Sequence, residues 1–123
     1  ELDKAIASKD HFAAMDLLDR AARLGGDALQ TTVDHLFAAN PPTAFLAGAM
    51  APMMREVTLS ADQWVDLAEG GVWNENNAVR DLAVANARGL SKQRLAALEK
   101  TSKRKQYGAE RLRPLVKQLA KLV

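Results

Sequence analysis

Apolar residues in this chain recur three and four positions apart and nowhere alternate over a sustained stretch, so the chain can bury them only by forming helices. Between His11 and Leu24, Phe12, Met15, Leu18 and Ala22 form one stripe, with Asp16, Asp19, Arg20 and Arg23 largely opposite. Leu29, Val33, Leu36 and Phe37 repeat the spacing of a core-facing helix. Trp64, Leu67 and Ala68 make a third stripe, and Val79, Leu82, Ala83 and Leu90 a fourth. Leu112, Leu115, Val116, Leu119, Leu122 and Val123 close the chain with the cleanest one. Ile6 is the only isoleucine, and no run of β-branched or aromatic residues alternates in the manner of a strand. The expected class is all-α, a compact bundle of about five to seven helices.

Helix punctuation agrees with this pattern. Gly25-Gly26 reads as a stop, and Asp27 with Gln30 as a capping box for the next helix. Ser60 with Gln63 offers the same signature ahead of Trp64. Gly70-Gly71 reads as a second stop, with Asn74 as the following N-cap. Asn40-Pro41-Pro42 breaks the chain and opens another helix, and Gly108 and Pro114 bracket the start of the last one. The two glycine pairs lie forty-five positions apart, within the ~40–47-residue period of HEAT and armadillo repeats. A short helical-repeat fragment is therefore the alternative architecture. The residues between the pairs show little self-similarity, which favours the bundle.

The 123 residues make one domain, 1–123, long enough to bury roughly two-thirds of the unfolded surface. Starting at Glu1 without an initiator methionine, the chain is expected to be part of a longer one, soluble and cytoplasmic. The absence of cysteine removes disulfides, thiolate nucleophiles and Cys-ligated metals. The longest apolar run, Ala44–Met54, contains Pro52 and is too short to span a bilayer.

Charge is sorted along the chain. Residues 1–75 carry twelve acidic and five basic side chains, a net of −7, and residues 76–123 carry three acidic and twelve basic, a net of +9. Arg113, Lys117 and Lys121 recur at i, i+4 and i+8, one positive line along the last helix beside its apolar stripe. With Arg88, Lys92, Arg94, Lys103, Arg104 and Lys105 they form the candidate partner-binding set. Three partners fit it. An acidic protein surface or a polyanion is the leading one. A nucleic acid would be held through its backbone, since only Tyr107 lies near as a stacking platform. An anionic membrane would meet the same cations, with Phe45, Leu46, Met50, Met53 and Met54 as an apolar insertion. The plain alternative is that the positive half complements the negative half of the same molecule.

No catalytic chemistry is legible. His11 and His35 have no partner at metal-ligand spacing and read as surface or packing residues unless the fold brings them together. Asp62, Asp66 and Glu69 share a helical face, but no loop is present to wrap an ion, so the row reads as a solvated face able to dock basic residues. Gly-rich phosphate loops, nucleophile elbows and SxxK pairs are absent. Thr101 and Ser102 interrupt the Lys100–Lys105 cations as candidate phosphorylation sites, and Trp64 and Trp73 read as anchors of the Gly70 turn. The expectation is a non-catalytic interaction module with no cofactor, no metal and no small-molecule substrate.

Overall fold

The computed structural model describes residues 2–105 and 108–122. Helices α1 (Leu2–Ala7), α2 (His11–Leu24) and α3 (Gly26–Ala38) pack on one another. Next, α4 (Thr43–Met50) and α6 (Asn77–Asn86) pack against α5 (Ala61–Trp73). Helix α7 (Lys92–Ser102) pairs with α8 (Leu112–Ala120), which follows a 3₁₀ turn at Ala109–Arg111 and reaches back to α5. The all-α bundle expected from the sequence is thus what the chain forms, with eight α-helices and no strand among the described residues.

Local chemistry sets most of the boundaries. Asp10 caps α2, its Oδ1 accepting from the Ala13 N–H at 3.0 Å. The chain then reverses through Gly25 and Gly26 at φ 66° and 53°, a region that residues with a Cβ rarely adopt. A single residue therefore joins α2 to α3. Ser60 and Gln63 form the expected capping box, with Ser60 N–H donating to Gln63 Oε1 at 2.8 Å and Gln63 N–H to Ser60 Oγ at 3.2 Å. Pro42 precedes α4, and Pro114 occupies the first turn of α8, where its missing N–H costs no bond.

The second glycine pair is not a stop. Helix α5 runs through Gly70-Gly71 to Trp73, and both glycines are buried. A Cβ on Gly70 would overlap the Thr43 carbonyl oxygen and lie 2.8 Å from the Ala47 Cβ, both on α4. A Cβ on Gly71 would lie 2.9 Å from the Arg80 backbone nitrogen on α6. Successive helical positions point about 100° apart, so the pair notches α5 toward two neighbours at once. The forty-five-residue spacing of the glycine pairs therefore joins a turn to a packing notch, and is not a structural period. Trp64 and Trp73 lie within α5, with Trp64 buried and Trp73 half-buried.

Five smaller readings are corrected in the same way. Asn74 closes α5 and does not open α6; its Nδ2 donates to the Ala44 carbonyl at 2.7 Å, and Asn76 supplies the α6 cap. Asp27 and Gln30 form no capping box, because α3 begins at Gly26. Gln30 instead grips the 51–60 loop: its Oε1 accepts from the Thr58 N–H at 2.8 Å and its Nε2 donates to the Thr58 carbonyl at 2.9 Å. On α2 the buried stripe is Ala14, Leu18 and Ala21, leaving Phe12 91% exposed. Leu90 is buried but lies beyond the end of α6; Leu122 is exposed, and Val123 lies outside the described residues.

The core is continuous through Leu18, Leu36, Met50, Val65, Leu98 and Leu115. Met50, Met53 and Met54 are 0–2% exposed, and Leu46, Ala47 and Ala49 are buried with them. The methionines are core filling. The membrane reading is left with cations and without its apolar insertion. No helix among the described residues is long and apolar enough to cross a membrane.

Candidate functional site

Among the described residues, the two halves of the charge pattern meet at two ion pairs. Arg94, half-buried on α7, places a guanidinium nitrogen 2.6 Å from Asp66 Oδ1 on α5. Arg111 reaches Glu75 at 2.9 Å, tying the 3₁₀ turn to the end of α5. Burial raises the pKa of the Asp66 carboxyl above the ordinary aspartate range, and the Asp62 charge adds to this. The Arg94 guanidinium pulls the other way, through its charge and its hydrogen bond, without overcoming the burial. So Arg94, one of the candidate partner-binding residues, is committed inside the molecule.

The remaining cations divide by position. Lys103 at the end of α7 and Arg113 and Lys117 on α8 line one shallow hollow of about 190 Å³, together with Glu99, Ser102 and Val116. The amphipathic character of α8 makes this arrangement: Leu112, Leu115 and Leu119 face the core, which turns Arg113 and Lys117 outward. Lys103 is drawn to Glu99 at 3.3 Å, whereas Arg113 and Lys117 form no ion pair among the described residues. Arg104 and Lys105 are exposed just after α7. Arg88, Lys92 and Lys121 are exposed but outside the hollow, at the start of the α6–α7 loop, the first turn of α7 and the end of α8. Tyr107 lies outside the described residues.

The floor of the hollow bears on the phosphorylation sites. Ser102 is 3% exposed, with its hydroxyl donating to the Glu99 carbonyl, so the folded chain does not present it to a modifying enzyme. The Thr101 hydroxyl donates to the Ala97 carbonyl at 3.1 Å. Asp62 is exposed and Asp66 is engaged by Arg94, and no group of three His, Asp or Glu among the described residues is placed to hold a metal ion.

The fold also brings together what the sequence kept apart. His11 and His35 line the same cleft, of about 580 Å³, between α1, α3 and α4. The His11 ring stacks on Phe45 with centroids 4.4 Å apart. Nothing in the spacing of either histidine announces this, because the lining joins the stretch from α1 to the start of α2 with the stretch from the end of α3 to the start of α4. Comparisons with protein-family models, curated proteins and solved structures return no match to this chain.

Proposed function

We propose that the chain is a non-catalytic interaction module that docks an acidic protein segment on the α7–α8 face. The observation that carries this reading is the hollow ringed by Lys103, Arg113 and Lys117. Val116 lines it between the cations, which suits a peptide that offers carboxylates around an apolar side chain. A polyanion would use the cations and leave Val116 without a role. Arg94 and Arg111 belong to the molecule's own electrostatics and not to the docking face.

The test is fluorescence anisotropy with a labelled peptide of alternating glutamate and leucine, run beside single- and double-stranded DNA and RNA of matched charge and phosphatidylserine vesicles. The expected result is peptide binding that weakens at least tenfold in Arg113→Gln/Lys117→Gln and when the peptide leucines become serine. Tighter binding of nucleic acid, with a steep salt dependence, would replace this reading with the backbone-directed one. Binding to vesicles alone would move it to the membrane.

A further inference from the structure

We infer that the cleft between α1, α3 and α4 is a binding site for a small organic anion with an apolar, ring-sized body, such as an aromatic carboxylate. Its volume, about 580 Å³, falls within the ~300–1,000 Å³ of small-molecule sites. Ile6, Pro41, Pro42 and Phe45 supply an apolar wall. Lys9, His11 and His35 supply N–H donors, and no aspartate or glutamate lines the cleft. Asp10, between Lys9 and His11 in sequence, is turned away to cap α2. The Lys9 ammonium is thus the one full charge on the lining, beside His and Asn side chains that can donate.

The backbone gives a second, independent observation. Lys9 and Asn40 both line the cleft, and both hold the left-handed conformation at φ 60° and 53°. Each ends a helix where glycine is the usual residue: the Lys9 N–H donates to the Ile6 carbonyl and the Asn40 N–H to the Phe37 carbonyl, both at 3.0 Å. Two of the three non-glycine residues at positive φ among the described residues therefore meet at one cleft. Side chains held in such conformations concentrate at ligand sites, where placing a functional group offsets the backbone cost. Here the groups placed are an ammonium and a carboxamide.

The sign of the ligand charge follows from comparing the local sources. The end of α3 lies at the cleft and carries a partial negative charge of about one half. Lys9 brings a full positive charge to the lining, whereas the Asp10 carboxylate lies off the lining and is engaged by the first turn of α2, where the two largely cancel. An anion is therefore favoured on the Lys9–His11 side and an uncharged body on the α3 side, where His35 can donate to a distal polar atom.

The experiment titrates the protein with 1-naphthoate and its neutral isostere 1-naphthamide, followed by calorimetry and amide chemical shifts. Saturable naphthoate binding is expected, with shifts centred on Lys9, His11, Asn40 and Phe45, and naphthamide at least tenfold weaker. Lys9→Asn keeps a residue that tolerates the left-handed backbone while removing the charge. It should weaken naphthoate about tenfold and leave naphthamide and the melting temperature unchanged. Ala38→Trp, on the exposed rim of α3, should block both ligands by filling the cleft. Absence of saturable binding, shifts centred elsewhere, equal affinity for the two ligands, or indifference to both variants would each overturn the inference.

Discussion

Gly70→Ala is the most direct test of how this fold is held together. Placing a Cβ there sets it 2.7 Å from the Thr43 carbonyl carbon and 2.8 Å from the Ala47 Cβ, against an ordinary carbon–carbon separation of about 3.5–4.0 Å. The shortfall is about 1 Å, and the nearest obstacle is backbone, which cannot rotate aside. Helices α4 and α5 must separate along their contact, where Thr43 and Ala47 of α4 meet Gly70 of α5. Overpacking of this kind costs about 1–3 kcal/mol, and a backbone obstacle puts Gly70 at the upper end. Alanine is the better helix former by about 1 kcal/mol, so the net loss is about 2 kcal/mol.

Gly48 supplies an internal control. It lies in α4, is exposed, and an added Cβ would meet only Asn74 Nδ2 at 3.9 Å. Gly48→Ala therefore collects the propensity gain without the clash and should stabilise by about 0.5–1 kcal/mol. The gap between the two variants, about 2.5–3 kcal/mol, isolates the packing term because both make the same chemical change. In thermal unfolding it corresponds to roughly 10 °C, and urea denaturation gives the free energies directly. Gly71→Ala, facing the Arg80 backbone, should fall between them. If Gly70→Ala proved as stable as the parent, the close approach of α4 to α5 would be refuted.

The remaining predictions concern electrostatics and the loop. Because burial raises the Asp66 pKa in the folded state, the folded chain binds that proton more readily than the unfolded one. The contribution to stability is present below the unfolded pKa and is lost as pH rises through the folded one. The unfolding free energy of the parent minus that of Asp66→Asn should therefore fall from acid pH through the carboxylate range and then level off; a rise would mean that Arg94 outweighs burial. Gln30→Ala removes both bonds to Thr58 and should cost about 1 kcal/mol, given ~0.5–1.5 per neutral hydrogen bond and partial replacement by water. The same variant should speed amide exchange at Thr58, and unchanged exchange there would show that the loop is held by its other contacts.

The fold was legible in the sequence where a single segment decided its own structure. The His11–Leu24 boundaries, the Ser60–Gln63 capping box and the apolar face of α8 all follow from local spacing and capping chemistry. Readings failed where the deciding atom came from elsewhere. A glycine pair looks the same in sequence whether it turns the chain, as at Gly25, or admits two neighbouring helices, as at Gly70. Gln30 matches a capping box in spacing, and only the arrival of Thr58 shows what its amide does. The cleft was invisible for the same reason, since two stretches far apart in sequence, 6–11 and 35–45, build it.

The charge pattern separates fold from function in a way that can be weighed. Arg94–Asp66 and Arg111–Glu75 join the two halves, so part of the segregation is internal complementarity. The α8 face does the opposite. Arg113 stands in the first turn of α8, which holds no acidic residue, and a cation near a helix N-terminus is unfavourable by about 0.3–1 kcal/mol. Lys117 follows at i+4, where a like charge costs about another 0.2–0.5 kcal/mol. Exposure and salt bring both to the low end, and neither is offset by an ion pair among the described residues. Glu110 lies three residues before Arg113 in the adjoining 3₁₀ turn and Glu99 lines the same hollow, so these small costs are largely offset and the fold has little stake in either charge. Arg113→Gln/Lys117→Gln, the variant that should lose the acidic peptide, should at the same time leave stability within about 0.5 kcal/mol of the parent. A loss well beyond that would mean that the face works within the fold, and the docking reading would lose its support.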